Sequence, residues 1–174
     1  QYEQTFYYDA MVVAADNNIL QGYLDHDPNV AEYMNGIITS VTLENPEGKT
    51  ETAQLMVVPN GESLQKYVEL RHTDGQIVSL DDGEVMVTQN ASILLELNAG
   101  DHAIVQTMEL EQAEINITDV VENYLGNYIY MTQATYEECF GEYEANSALV
   151  YLSDDCKDQS LFCDALSKQE GILS

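Results

Sequence analysis

Basic side chains are scarce in this sequence, and tryptophan is absent. The 174 residues include only 5 Lys and Arg against 31 Asp and Glu, which gives a formal net charge of -26 at pH 7. Because affinity for a phosphate backbone comes largely from Lys and Arg, this balance excludes most nucleic-acid roles. The same charge favours a cationic ligand through electrostatic steering, although solubility of an exposed surface is the simpler explanation for it.

Long apolar runs are also missing. No stretch approaches the roughly 20 apolar residues that span a bilayer, and the N-terminus has neither an initiator Met nor a signal sequence. We therefore expect a soluble fragment or a processed product. Since 45% of the residues are hydrophobic, a chain of this length can bury a core without metals or disulfides, and disorder is not expected.

Three cysteines are too few for a disulfide scaffold, and their spacing does not match a zinc site. Cys139 lies on the apolar side of a predicted helix and is most simply a small buried hydrophobe. If Cys156 and Cys163 both lay on one helix, they would be roughly 10 Å apart, beyond the limit of about 7 Å for a bridge. This candidate disulfide therefore requires Cys156 in the loop before the helix, and it depends on an oxidising compartment.

Hydrophobic periodicity predicts a mixture of strands and short helices. The aromatic and β-branched run 6–15 predicts a central strand, and Asp27-Pro28 with apolar residues at helical spacing behind it predicts a helix up to Ile37. Alternating residues over 37–43 and 53–57 predict a hairpin. The pattern further predicts strands at 84–88, 103–108, 113–121 and 148–152 and helices at 91–97, 132–140 and 161–166.

These elements predict an α+β fold rather than a doubly wound sheet, because consecutive strands are joined by hairpins. We expect two lobes. A base lobe with a mixed sheet and helices is formed by both chain ends, 1–70 and 120–174. A small β-rich distal lobe, 71–119, is inserted between them.

No constellation of an enzyme or a metal site stands out. With 31 acidic residues, no Asp/Glu pair is distinguished as a general acid and base, and a solvated acidic surface explains them better. His26, His72 and His102 share no ligand spacing with each other or with a cysteine. A phosphate-binding glycine loop is absent from the sequence. We predict no catalytic residue, no cofactor and no metal.

Tyrosine is the one abundant aromatic residue, and its densest group lies near 122–131. A tyrosine has an apolar face and a polar tip, which suits an interface. Tyr124, Tyr128 and Tyr130 are therefore candidate interface residues. The alternative is that they pack between the lobes of this chain, and it has the greater weight.

Several segments together resemble a known family. They are DGEVMVT at 82–88, ASILLEL at 91–97, Gly100-Asp101, ENYLGNYIYM at 122–131 and YEECFG at 136–141. These residues look like the extracytoplasmic domain of large FtsX-like permeases, which are membrane subunits of bacterial ABC transporters. The domain is similar to the MacB-like periplasmic core, and the resemblance covers most of the chain.

The resemblance implies an extracellular domain at the cell membrane, inserted between two transmembrane helices of the same permease. ATP would be hydrolysed by a separate cytoplasmic subunit, and the domain would couple that motion to export, sensing or engagement of a peptide, lipid or accessory protein. It implies no catalytic residue. The alternative is a free secreted acidic binding protein or hydrolase whose site is unrecognised.

Overall fold

A computed structural model describes residues 6–122, 126–154, 156 and 158–173. The strands in this part of the chain are β1 (Ala10–Val13), β2 (Val30–Glu44), β3 (Thr50–Val58), β4 (Met86–Thr88), β5 (His102–Gln106), β6 (Gln112–Asn116), β7 (Asp119–Val121), β8 (Tyr128–Thr132) and β9 (Ser147–Leu152). The helices are α1 (Asn17–Asp25), α2 (Gly61–Leu64), α3 (Gln89–Leu95), α4 (Gln133–Phe140) and α5 (Gln159–Ser167).

The strands form a mixed sheet in the order β1-β9-β2-β3-β8-β4-β7. The pairs β3–β8 and β4–β7 are parallel, and the other pairs along this order are antiparallel. A hairpin of β5 and β6 attaches beside the last residues of β2. This arrangement confirms the predicted α+β class with a mixed sheet.

The long strand β2 organises the sheet because it pairs in two directions. Its first half pairs with β9, and its second half pairs with β3 in the predicted hairpin, where Ile37 lies opposite Val57 and Val41 opposite Ala53. The hairpin turn is held by Asn45, which is 4% exposed and donates from Nδ2 to the carbonyl oxygen of Leu95 at 2.9 Å. The turn is thereby joined to the end of α3.

Three apolar clusters cover the sheet. Successive strand residues point to opposite faces, so Ile37 packs with α3 and α4 on one face, whereas Ile38 packs with the segment 61–80 on the other. The third cluster lies where α1 and α5 cover β1 and β9. It includes Val12, Leu20, Leu24, Val150, Phe162 and Leu166.

The helix predicted behind Asp27-Pro28 is wrong, because β2 already begins at Val30. Asp27 does not cap a helix; its side chain accepts a hydrogen bond from the backbone N–H of Asn29, as in an Asx turn. The helix in this region is α1, which comes earlier and is capped by Asp16. Pairing with β9, more than 100 residues away, extends β2 back to Val30.

The strand predicted at 113–121 is two strands, β6 and β7, which pair with different partners. Between them the backbone N–H of Ile117 donates to Asp101 and that of Thr118 donates to Val85. Within 71–119, β4 belongs to the main sheet order, whereas β5 and β6 lie off it, and β7 crosses the predicted boundary at 119. The boundaries of the inserted distal lobe stay a prediction.

The last described residues lie beside the first strand. Ala14 forms an antiparallel bridge with Ile172, and the N–H of Leu173 donates to the carbonyl oxygen of Val13 at 2.7 Å. Because this pairing is antiparallel, Ile172 and Leu173 run in the direction opposite to that of β1. Both ends of the described chain therefore point in the same direction along β1.

Candidate functional site

A groove lies between α1 and α5. Both helices lie on the β1–β9 pair and bury their inner residues there, Leu20 and Leu24 from α1 and Phe162 and Leu166 from α5. The two helices do not close on each other along their facing sides. They leave a groove of about 730 Å³, which is within the range of ligand-binding clefts.

The floor of this α1/α5 groove is apolar and is lined partly by residues with small side chains. Phe162 and Leu166 form its base at 5% and 7% exposure. Gly22 and Ala165 line it with little or no side chain, and a Cβ added at Gly22 would meet nothing within 4 Å. Leu161 stands at the edge with 65% of its surface exposed, so apolar surface continues from the floor to solvent.

The rim of the α1/α5 groove carries carboxylates. Asp158 caps α5 by accepting from the N–H of Leu161 at 3.1 Å, and Asp27 accepts from Asn29 at 2.8 Å. His26 is hydrogen-bonded through Nδ1 to the carbonyl oxygen of Gly22. Among the described residues that line the groove, Asp27 and Asp158 contribute negative potential, and none is Lys or Arg.

The candidate disulfide lies beside the same groove. Cys156 lines the groove just ahead of α5, in the loop position that a bridge requires, and Cys163 lies within α5. Both are free thiols in the structure. Burial raises the pKa of the Cys163 thiol, and the neighbouring Asp164 and Cys156 raise it further. The bridge stays a prediction.

We expect Cys156 and Cys163 to become bridged when the protein is held in an oxidising buffer, with a gain of about 2 kcal/mol for so short a loop. Alkylation in denaturant without reductant, followed by mass spectrometry, should then modify one thiol, that of Cys139. The Cys156→Ser variant should show two modified thiols and a lower Tm, and Cys139→Ser should show none. Three modified thiols in the oxidised parent protein would contradict the bridge.

The tyrosines predicted at an interface occupy different environments. Tyr130 is 1% exposed and belongs to the core cluster over the segment 61–80, so it packs within this chain. Tyr128 is half-buried, with its ring 5.7 Å from that of Tyr130 and 6.2 Å from that of Phe6. Tyr124 lies outside the described residues. An interface with a partner stays a prediction.

A polar cluster of Tyr7, Glu69 and Arg71 joins the N-terminal segment to the loop before β4. No sequence pattern described above predicted this cluster. Arg71, the single arginine of the chain, forms an ion pair with Glu69, and Tyr7 donates to Glu69 Oε1 at 2.8 Å. Beside it, His72 Nε2 lies 2.5 Å from Asp119 Oδ2. The sequence signal for this ion pair was the single arginine, because a lone arginine among 31 acidic residues is expected to pair with one of them.

The hydrogen bonds from Arg71 and then from Tyr7 lower the pKa of Glu69, which therefore stays ionised. The Glu69 and Arg71 side chains are 16% and 12% exposed, so this ion pair is largely removed from water. Glu69 and Tyr7 also line a cavity of about 250 Å³ beside the segment 61–80. The described ranges contain no group of three or more His, Cys, Asp or Glu that could hold a metal ion.

Comparison with known proteins adds a likeness in fold. No protein-family model matches this chain, and no curated protein sequence does. In the part of the chain that the structure describes, no helix combines the length and the apolar character needed to cross a bilayer.

Two of the solved structures that are similar to this chain come from bacterial proteins. The extracellular domain of the noncanonic ABC-type transporter YknZ from Gram-positive bacteria gives a TM-score of 0.52 at 17% identity, over 93% of this chain and 88% of that one. The periplasmic region of MacB from Actinobacillus actinomycetemcomitans gives 0.49 at 14% identity, over 93% and 86%. The chain therefore shares the fold of the YknZ domain, which confirms the fold that the sequence resemblance implied.

Proposed function

We propose that this chain is a non-catalytic extracellular domain of an ABC transporter permease subunit, held at the outer face of the cell membrane between two transmembrane helices. The observation that carries the proposal is the pairing of β1 with the last described residues. Ile172 and Leu173 run antiparallel to β1, so the two ends of the described chain point the same way. The shared fold with an extracellular transporter domain supports it.

A domain inserted between two neighbouring transmembrane helices must leave the bilayer and return to it nearby. Parallel exits along one strand satisfy this requirement without a long linker. A free secreted protein has no such requirement, and its termini can lie anywhere on the surface. The direction of the ends therefore favours the inserted domain over the alternative of a secreted binding protein or hydrolase.

The same pairing gives a path for motion. β1 pairs with β9, β9 pairs with β2, and β2 extends into the hairpin with β3. A displacement of either transmembrane helix would act on β1 or on the segment paired with it. We infer that the sheet transmits ATP-driven movement from the membrane to the outer surface, where a peptide, lipid or accessory protein is engaged. ATP is hydrolysed by a separate cytoplasmic subunit.

The test is the location of the domain in the full-length gene product. In a background with the three native cysteines replaced by serine, Ile93→Cys places a thiol on α3 at a site that is 66% exposed. We expect a membrane-impermeant maleimide to label it in intact cells, with the protein in the membrane fraction. Leu95→Cys, two residues on and 0% exposed, is the matched control and should react only after denaturation.

Two outcomes would contradict the proposal. Recovery of the Ile93→Cys protein from the culture medium, free of membranes, would favour the secreted alternative. Labelling that requires cell lysis would place the domain on the cytoplasmic side. Either result would leave the description of the fold unchanged but would contradict the proposal of an extracellular domain inserted between two transmembrane helices.

A further inference from the structure

We propose that the α1/α5 groove binds a cationic amphipathic helical peptide, with its apolar face on the groove floor and its basic side chains at the acidic rim. This inference goes beyond the proposed function, because it assigns a site and a class of ligand. It does not depend on how the domain is attached to a membrane.

The shape of the groove suits a third helix. α1 and α5 each have 9 residues, so each is about 13 Å long, which equals between two and three helical turns. Gly22 on one side and Ala165 on the other allow a backbone to approach closely. A helix in this position would cover Leu161, which is otherwise 65% exposed. Helix-in-groove binding uses this combination of an apolar floor and two flanking walls.

The charge of the groove selects the partner. Asp27, in the loop after α1, and Asp158, the N-cap of α5, both line it, and the described lining residues include no Lys or Arg. A peptide that carries Lys or Arg beside its apolar face would meet a carboxylate on each side. Charge complementarity of this kind increases both the association rate and the discrimination against anionic partners.

The same charges argue against other occupants. A second copy of this chain would bring a net charge of -26 against -26, which opposes association. An anionic membrane surface is repelled for the same reason. A neutral apolar ligand would make no ion pair with Asp27 or Asp158, so the charges at the rim would not contribute to its binding.

The probe is a synthetic 14-residue peptide of leucine and lysine, with leucines at i, i+3, i+4 and i+7 so that they form one helical face. Its control has the same composition in an order that destroys this face. Titration calorimetry with the 174-residue chain at physiological salt should give an affinity about tenfold higher for the amphipathic peptide. Equal affinities would show attraction by net charge alone and would overturn the proposal.

Substitutions then locate the site. Gly22→Leu places a larger side chain at the groove wall. It should lower the affinity for the amphipathic peptide about tenfold, because the leucine would occupy part of the space for the apolar face of the peptide. Folding should be preserved, because leucine favours a helix more than glycine and the space is open. Binding of the peptide to Gly22→Leu as tightly as to the parent would overturn the proposal.

A matched pair of caps tests the rim. Asp158→Asn removes one charge beside the groove and keeps a side chain that caps α5. Asp16→Asn makes the same change at the cap of α1, which is not among the groove-lining residues. We expect about threefold weaker binding for Asp158→Asn and no change for Asp16→Asn. Equal losses in both variants would overturn the assignment to the groove.

Two further probes separate the ligand classes. Vesicles of phosphatidylglycerol should not bind the chain, and binding that Gly22→Leu abolishes would assign the groove to a membrane surface instead. Dodecyltrimethylammonium should not compete with the peptide below its micellar concentration; competition would assign the groove to small cationic amphiphiles. Neither result bears on maleimide labelling of Ile93→Cys, so failure here is distinguishable from failure of the proposed function.

Discussion

Gly61→Ala should lower the free energy of unfolding by about 3 kcal/mol, because the new methyl group has no room. A Cβ at Gly61 would lie 2.9 Å from the carbonyl carbon of Leu80 and closer still to its oxygen. These atoms belong to the backbone, so a side-chain rotation cannot relieve the contact. Gly61 also begins α2, whose Leu64 is buried in the core cluster of the segment 61–80.

The matched control is Gly22→Ala, the same substitution in open space. Since a glycine within a helix is less favourable than alanine, this variant should be more stable than the parent by about 0.8 kcal/mol. Urea unfolding followed by circular dichroism measures both changes. If the urea midpoint of Gly61→Ala equalled that of the parent, the segment 61–80 would be able to move away without loss of stability. That result would contradict the close packing described.

Local patterns predicted the elements whose pairing is also local. The hairpin of β2 and β3 has period-2 alternation on both strands and a turn between them, and the structure contains the predicted hairpin. Helix α4 is similar, since it ends at Gly141, which has a φ of 87° as a helix-terminating glycine requires. In both cases the sequence signal and the structural cause lie within a few residues.

The sequence patterns did not predict two stretches of strand that depend on pairing with segments far away in the chain. The first half of β2 has apolar residues that also fit a helix, and only its pairing with β9 selects the strand. β8 has no alternation, because it lies between β3 and β4, and four of its five residues are buried. A continuous apolar run of this length does not distinguish a strand from a buried helix.

The candidate site was hidden for the same reason. Its two walls, α1 and α5, are about 140 residues apart in the chain, and no short motif links them. The acidic composition indicated a preference for cations but not where it acts. Gly22 illustrates the difficulty: in sequence it only weakens a helix, whereas in the structure it opens the wall of the groove.

Arg71→Met should lower the free energy of unfolding by about 3 kcal/mol, because it leaves the carboxylate of Glu69 largely buried without this cation. The comparison is Lys49→Met, which removes the same charge from an exposed turn and should change stability by less than about 0.5 kcal/mol. Equal losses in the two variants would mean that net charge, rather than the buried pair, is responsible.

The pH dependence of this difference identifies its cause. The Arg71 hydrogen bond lowers the pKa of Glu69 below its ordinary value of 4.5, so its contribution to stability is complete above that pH and is lost as pH falls through the lowered pKa. The gap in unfolding free energy between the parent and Arg71→Met should therefore narrow on acidification. The double variant with Glu69→Gln should lose less than the sum of the single losses, since each single substitution strands the other partner. Additive losses and a gap that is constant from pH 7 to pH 3 would show that Arg71 stabilises the fold by packing and not through Glu69.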